Sequence, residues 1–317
     1  MYNKMFIPIR MWRLLTAALA ISSVVSAKPL KQPLCNVLAF SGGGSFGAVE
    51  LGILDGLTAT GHAPVSYDII TGISAGGLNA GFLSYYKNVS EALPEVHNII
   101  SNLTTADVYK SSVFNIFTNW SIYSTTPLES TISSILASRG DHVPSSSGNP
   151  ITLIGATNIN TQALDVFRFD TMTLSDRIDV LMATSAIPLA FPPRLINGSI
   201  YVDGGLINNE MITQAMGHKP CDFYRFTFIS ATSREGYHAV NGFFSYLSAV
   251  GHVLLDTFDY QLAQYQSVTC QYPRGTINAC FPTAPELEIY SILDFNYGAE
   301  LWALGRSGYN CTQLQIC

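Results

Sequence analysis

A serine between two glycines is the residue of this chain best suited to chemistry. GISAG (residues 72–76) follows an apolar run at 67–71 that predicts a buried strand, and a helical pattern comes after it. The sequence G-x-S-x-G between a strand and a helix is typical of a nucleophile elbow, a tight turn that exposes the serine hydroxyl. Ser74 is therefore predicted to be a nucleophile, with Gly72 and Gly76 leaving room for the turn. The alternative is a glycine-rich turn with an incidental serine.

A base for this serine is predicted at Asp203. The β-prone run 199–203 delivers this aspartate to a turn, and Gly204 and Gly205 leave space around its carboxylate. A carboxylate that accepts the serine proton would complete a nucleophilic pair. The alternative is an aspartate that only stabilises its own turn, because Asp-Gly is a common turn sequence.

A second glycine-rich turn supplies backbone groups that could stabilise an oxyanion. The apolar run 36–40 predicts a strand, GGGSFG (42–47) follows it, and positions 48–57 have the spacing of a helix. Amide groups that converge at a helix N-terminus attract negative charge. The loop at 42–47 can therefore supply backbone donors to an oxyanion.

The three motifs occur in an order that resembles the patatin-like phospholipase family. GGGSFG (42–47), GISAG (72–76) and DGG (203–205) carry the resemblance, and ATSAIP (183–188) is similar to that family too. The similarity covers about residues 36–217. It implies an α/β fold with three α/β/α layers and a central, mostly parallel sheet. It also implies a dyad without a catalytic histidine and lipid acyl esters as substrates, at a membrane or micelle surface. In this dyad Ser74 would be the nucleophile and Asp203 the base. The resemblance also implies that the oxyanion hole is formed by Gly42, Gly43 and Gly44.

One position departs from the family pattern. The glycine loop of the family usually carries Arg or Lys just before its last glycine, Gly47, and this chain has Phe46 there. Loss of the cation could weaken oxyanion stabilisation or a phosphate contact, or redirect substrate choice. The DGG turn is also often followed by Asn-Asn-Pro in the family, whereas here Glu210 follows the two asparagines.

Three other functions are alternatives. A patatin-like protein that only binds or stores a ligand would fit the loss of the cation at Phe46. An α/β-hydrolase would need a histidine after Asp203 to complete a triad. A dinucleotide-binding enzyme would use the G-x-G-x-x-G pattern of the glycine loop, but Asp68 begins the second apolar run instead of ending it. The candidate triad histidines are His218, His238 and His252.

The composition describes a folded, mildly acidic protein. The chain has 317 residues, of which 48% are hydrophobic and 12% charged, and its formal net charge is −6. This balance excludes an intrinsically disordered chain. Without a dense Lys/Arg run, a nucleic-acid partner is not expected, and no obligate protein partner is evident. No cofactor and no metal ion are expected, because no cysteine or histidine spacing is that of a zinc site.

The N-terminus predicts a secretory signal peptide over residues 1–27. Basic residues precede a short apolar core at 14–25, and small residues end at Ala27. The remaining chain is predicted to form a catalytic domain at 36–217 and a disulfide-braced extension at 218–317 that packs on the same domain. Within the extension, 223–229 has the pattern of a strand and 240–266 that of a helix.

Cysteines and glycosylation sequences favour a secreted protein. Six cysteines allow 15 pairings, and proximity along the chain favours Cys270–Cys280 and Cys311–Cys317, which leaves Cys35–Cys221 by elimination. Five Asn-x-Ser/Thr sequences follow the predicted signal peptide and are candidates for N-glycosylation. These are Asn88, Asn102, Asn119, Asn197 and Asn310.

Overall fold

The computed structural model describes residues 33–111, 115–139, 148–232 and 274–316, without the side chains of residues 115, 116, 274, 315 and 316. Gln32–Cys317 forms one compact unit. The strands are β1 Leu34–Phe40, β2 Ile69–Ile73, β3 Lys110–Ser111, β4 Tyr123–Ser124, β5 Ile151–Asn158, β6 Ala163–Arg168, β7 Arg194–Ile196, β8 Ser199–Asp203, β9 Phe223–Ile229, β10 Arg274–Pro282 and β11 Tyr309–Ile316.

Helices connect these strands. They are α1 Gly47–Ala59, α2 Ser74–Leu83, α3 Val89–Asn102, α4 Thr105–Val108, α5 Asn115–Thr118, α6 Thr126–Ala137, α7 Leu174–Thr184, α8 Ile212–Ala215 and α9 Gly298–Ser307. Within the described ranges, short 3-10 turns occur at Gly44–Phe46, Phe169–Thr171, Gly204–Leu206 and Pro285–Ile289. Among the described helices, none combines the length and the apolar character that a membrane crossing requires.

Nine strands form one mixed sheet with a parallel centre. Their order is β11-β10-β9-β1-β2-β5-β8-β7, and β6 pairs with β5. The pairs from β10 through β9, β1 and β2 to β5 are parallel, whereas β6, β7, β8 and β11 run antiparallel to their neighbours. The prediction of an α/β fold with a mostly parallel central sheet is confirmed.

Alternation along β1 shows how the sheet is covered on both faces. Leu38 and Phe40 pack into the apolar cluster that includes α1, α3 and α9. Val37 and Ala39 pack into the opposite cluster, which includes residues of α8 and β9. Successive side chains of a strand point to opposite faces, so that a central strand that is apolar throughout needs a covering layer on each side.

The C-terminal part of the chain completes this sheet. The strand predicted at 223–229 is β9, and it lies directly beside β1. β10 and β11 extend the sheet further on the same side. The helix predicted at 240–266 lies outside the described residues.

One of the three predicted disulfides is present. A second disulfide joins two cysteines that were each predicted to have a different partner. Cys35 is bonded to Cys221, as predicted, with 5.9 Å between the Cα atoms. Cys280 is bonded to Cys311, with 4.1 Å between the Cα atoms. The pairings Cys270–Cys280 and Cys311–Cys317 are therefore wrong. The antiparallel register of β10 and β11 places Cys280 opposite Cys311, so that distance in space differs from distance along the chain.

Candidate active site

Ser74 stands at a sharp turn between β2 and α2. β2 ends at Ile73 in extended conformation, and Ser74 begins α2 with a φ of 53°. This left-handed conformation is costly for a residue with a Cβ and is found at strained functional turns. A Cβ at Gly76 would collide with the carbonyl oxygen of Ser41, so that only glycine fits there. The strand, turn and helix predicted around Ser74 are present.

The sheet register brings Asp203 to this turn. Ile73 at the end of β2 is opposite Gly155 of β5, and the next β5 residue, Ala156, is opposite Asp203 of β8. The Asp203 carboxylate accepts a hydrogen bond from the amide of Gly205 at 2.9 Å, and the Ser74 hydroxyl lies close enough to stabilise its charged form. Two motifs that are 129 positions apart therefore meet as one pair.

Burial raises the pKa of the aspartate in this pair. Ser74 and Asp203 are only 4% and 5% exposed. Desolvation of the carboxylate raises the pKa of Asp203 to about 6, although the Ser74 hydroxyl and the Gly205 amide lower it. An aspartate of ordinary pKa is a poor base at neutral pH, and a pKa near 6 makes proton acceptance from a serine more favourable.

The glycine loop is held next to Ser74 by a side chain from outside the motif. The Gly42 amide donates to Oδ1 of Asn209 at 2.7 Å, and a Cβ on Gly42 would lie 2.8 Å from the Cβ of Ser74. Because its N–H already has an acceptor, Gly42 differs from the expected oxyanion donor and instead anchors the loop. Asn209 was noted in the sequence only as part of the turn after DGG.

The amides of Gly43 and Gly44, the next two residues of the loop, differ from the amide of Gly42. In the described part of the chain, neither the Gly43 nor the Gly44 amide has a hydrogen-bond acceptor. Gly43 is buried and Gly44 is half-buried, and converging amides without a protein acceptor at a glycine-rich turn are typical of sites that bind an anion. Gly44 has a φ of 58°, and a Cβ there would collide with the carbonyl oxygen of Ile292.

The C-terminal part of the chain fixes the position of this loop. The Ser45 amide donates to the Ile292 carbonyl at 2.8 Å, and the Ser45 hydroxyl donates to the Ser291 carbonyl at 2.9 Å. Gly43 packs closely against Ala231, which follows β9. The segment after residue 217 thus supports the site directly, a role that no motif in the sequence indicated.

Thr184 fixes the backbone of the candidate nucleophile. Its hydroxyl oxygen accepts from the Ser74 amide at 2.9 Å, while its proton goes to the Gly155 carbonyl at 2.6 Å. The Ser74 amide is therefore not free to bind an oxyanion. Thr184 lies in ATSAIP (183–188), where the sequence showed similarity to the family but gave this threonine no role.

Phe46, which replaces the usual cation, faces the apolar core. It is buried and belongs to the cluster that contains Phe40, Ala48 and Leu51. The side chain at this position therefore supplies packing and no charge to the site.

The buried carboxyl group of Glu50 stabilises the glycine loop. Glu50 of α1 accepts from the Ser41 hydroxyl at 3.1 Å and from Nδ2 of Asn79 at 3.0 Å. Burial raises the pKa of Glu50 well above its usual range, and these hydrogen bonds lower it only in part. Nδ2 of Asn79 also donates to the Gly47 carbonyl, so that Glu50 and Asn79 connect the start of α1 to α2.

The described histidines lie apart from the pair. His62 contacts Thr60, His97 contacts Trp302, and burial together with the charge of Arg168 lowers the pKa of His218. Arg168 ends β6 and is paired with Asp170, whose carboxylate contacts the start of β5, away from Asp203. No described histidine is among the groups that act on the Asp203 carboxylate, which are the Ser74 hydroxyl and the Gly205 amide. His238 and His252 lie outside the described residues.

Other candidate ligands have structural partners. Asp68, considered for a dinucleotide site, accepts from the Asn36 amide at 2.8 Å and pairs with Lys219 at 2.5 Å. Among the described residues, no group of three His, Cys, Asp or Glu side chains has the arrangement of a metal site.

An apolar cavity of about 140 Å³ lies beside α2. Its wall includes Ala75, Leu78 and Phe82 of α2 and reaches the glycine loop at Gly44 and Ser45. Helices α3, α6 and α9 supply most of the remaining wall.

Comparisons with known proteins agree with the motifs. A family model described as patatin-like phospholipase matches residues 38–216, more than half of the chain. The uncharacterized protein R571 of Acanthamoeba polyphaga mimivirus is 28% identical over 193 residues, which are 59% of this chain and 63% of that protein. VipD from Legionella pneumophila is a solved structure that matches with 12% identity, 88% coverage of this chain, 68% coverage of that chain and a TM-score of 0.37. At that score the likeness adds nothing to the fold described above. The family match, together with the three motifs, shows that this chain belongs to the patatin-like phospholipase family.

Proposed function

We propose that this protein is a serine lipid acyl hydrolase that cleaves fatty-acyl esters with the Ser74–Asp203 pair through an acyl-enzyme. The observation that carries the proposal is the proximity of two buried groups, the Ser74 hydroxyl and the Asp203 carboxylate, whose pKa is raised by burial to about 6. A buried, paired serine and carboxylate of this kind are typical of nucleophilic catalysis.

In the proposed first step, Asp203 accepts the proton of Ser74 while the serine oxygen attacks the ester carbonyl. The amides of Gly43 and Gly44 stabilise the oxyanion of the tetrahedral intermediate. Asp203 then gives its proton to the departing alcohol, and the acyl group remains on Ser74. In the second step a water loses its proton to Asp203 and attacks the acyl-enzyme. The products are the free fatty acid and the regenerated serine.

The experiment compares the purified full chain with single variants on p-nitrophenyl acyl esters. Ser74→Ala and Asp203→Asn are expected to lower kcat by about a thousandfold or more. Ser84→Ala and Asp170→Asn are matched controls, because both side chains are buried away from the pair. The histidine variants of positions 218, 238 and 252 are expected to keep activity. Loss of activity in one of them would favour the triad instead, and an inactive wild type would favour a binding or storage protein.

We also propose that the enzyme acts at a lipid surface. Apolar side chains around the pair are exposed: Leu189 by 68%, Ile207 by 47% and Leu206 by 39%. Leu206 and Ile207 directly follow the DGG turn, and the loop of Leu189 begins at Ala186, whose carbonyl accepts from the Asp203 amide at 3.0 Å. Exposed apolar residues around a site are typical of membrane contact.

A comparison of soluble and vesicle substrates tests the lipid-surface proposal separately from the proposal of ester hydrolysis. Leu189→Ser and Ile207→Ser are expected to lower the hydrolysis of phospholipid vesicles while a soluble ester is cleaved at the normal rate. Val65→Ser is the control, because Val65 is exposed but precedes β2 at the other end from Ser74. Equal losses on both substrates would contradict the surface proposal.

We further propose that the protein is secreted. The bonds Cys35–Cys221 and Cys280–Cys311 support this proposal, since disulfides persist in oxidising compartments. Four of the five candidate glycosylation sites, Asn102, Asn119, Asn197 and Asn310, are exposed, and Asn88 is half-buried. The test is the mass of the protein recovered from the medium, before and after enzymatic removal of N-glycans.

A further inference from the structure

The cavity beside α2 extends away from the nucleophile. Its lining residues on this helix, Ala75, Leu78, Asn79 and Phe82, have the spacing of one helical face. Ala75 directly follows Ser74, so that the near end of the cavity lies at the site. At a rise of 1.5 Å per residue, Phe82 is about 10 Å further along the helix axis.

The walls of this cavity offer an occupant almost no polar contact. The polar side chains in its lining include Ser45, Asn79 and Thr131. Each has a partner within the protein, because Ser45 donates to Ser291, Asn79 to Glu50 and Thr131 to Asp107. The other lining residues are glycine or apolar. The chemistry therefore fits a hydrocarbon chain and excludes a polar headgroup.

Arg139 fixes the far end of the cavity. Its guanidinium lies over the Phe82 ring, 4.4 Å from the centroid. The same group donates to the Tyr86 hydroxyl at 2.9 Å and to Glu95 of α3 at 2.6 Å. Because Arg139 follows α6, these contacts join the C-terminal ends of α2 and α6 to the middle of α3 behind one aromatic ring. A cation held over a ring in this way restricts the movement of the ring.

The size of the cavity limits the length of chain that it accepts. Its volume of about 140 Å³ is close to the roughly 150 Å³ of an engineered apolar cavity that binds benzene. An acyl chain on the order of six carbons would fill a space of this size.

We propose, on the basis of the lipid acyl hydrolysis proposed above, that this cavity holds the acyl chain and that Phe82, fixed by Arg139, is the end wall that sets its length. The substrate class is then a short- or medium-chain acyl ester. Long chains bind less well because the Phe82 ring occupies the space into which they would extend.

The first test measures kcat/KM for the butyrate, hexanoate, octanoate, laurate and palmitate esters of p-nitrophenol. The wild type is expected to prefer hexanoate or octanoate. Phe82→Leu is expected to raise the ratio of laurate to hexanoate by about tenfold, since each methylene in an apolar pocket changes specificity by that order. Phe226→Leu is the matched control, because Phe226 is an equally buried ring in the cluster on the opposite face of the sheet. An unchanged ratio in Phe82→Leu would overturn the proposal.

A second variant makes the same cavity shorter instead of longer. Leu78→Phe places a larger side chain midway along the lining face of α2 and is expected to shift the preference from octanoate to butyrate. If both variants keep the wild-type profile, the cavity does not hold the acyl chain.

Binding of fatty acids separates this inference from the proposed function. Calorimetric titration of Ser74→Ala with octanoate and laurate requires no catalysis. Octanoate is expected to bind more tightly than laurate, and adding Phe82→Leu is expected to reverse the order. If the wild type hydrolyses no ester but Phe82→Leu reverses the order of binding, only the catalytic proposal is rejected. If the wild type hydrolyses esters but the order of binding does not reverse, only the role of Phe82 is rejected.

Discussion

The substitution Asp203→Asn should abolish activity and at the same time stabilise the fold at neutral pH. The cause is the burial that raises the pKa of Asp203 from an ordinary value of 3.8 to about 6. Between these two pH values the folded protein holds a proton on this carboxyl group that the unfolded chain has released. Stability therefore falls as pH rises through this window and stays lower above it.

The magnitude follows from the two pKa values. The difference between 3.8 and about 6, at 1.36 kcal/mol for each pH unit, is about 3 kcal/mol of lost stability at pH 8. The asparagine side chain of the variant carries no charge and keeps an oxygen that can accept from the Gly205 amide. Asp203→Asn is therefore expected to be more stable than the wild type by up to about 3 kcal/mol at pH 8 and about equally stable at pH 4.

Urea denaturation of the two proteins between pH 4 and 8 measures this difference. Comparing the variant with the wild type at each pH cancels the contribution of other titrating groups, including Glu50. Asp170→Asn should have the opposite effect, because it removes the negative charge that pairs with Arg168. A variant at position 203 that is less stable than wild type at pH 8, or a difference that does not change with pH, would refute the reasoning.

Three further predictions concern the site. On the acid side of the pH profile, kcat/KM is expected to fall with a midpoint near pH 6, because Asp203 must be ionised to accept a proton. The control variant Asp170→Asn is expected to have the same midpoint. Ser74→Gly is expected to be about 1 kcal/mol more stable than Ser74→Ala in urea denaturation, since glycine adopts the φ of 53° without strain. Thr184→Val is expected to lower kcat about tenfold or more while Thr184→Ser retains most of it, since only a hydroxyl can accept from the Ser74 amide.

The sequence predicted the parts of the site that lie in short motifs. Ser74 and Asp203 were identified because a strand, a tight turn and the glycines that permit it are adjacent in the chain. The strand at 223–229 was predicted with its bounds, because aromatic and β-branched residues dominate this run. These features are local, and local spacing was sufficient to find them.

The supporting residues were missed because their contacts are long-range. Asn209 is 167 residues from the Gly42 amide that it holds, and Thr184 is 110 residues from Ser74. The disulfide between Cys280 and Cys311 depends in the same way on an antiparallel register that no local pattern specified. An asparagine or threonine has many uses in a fold, so that its type alone does not indicate its partner.

The proposed chemistry and the stability of this protein oppose each other at the same two residues. Asp203 becomes a competent base only because it is buried, and that burial costs about 3 kcal/mol at neutral pH. Ser74 is presented to the substrate only because it is held at a φ that costs about 1–2 kcal/mol. Within the DGG motif, the amide of Gly205 offsets only part of the cost of burying Asp203. The contacts that hold the pair in place come from Thr184, Asn209 and the segment at 291–292, all distant in the chain. We therefore expect variants of these supporting residues to lose activity before they lose the fold, as strain in the turn relaxes.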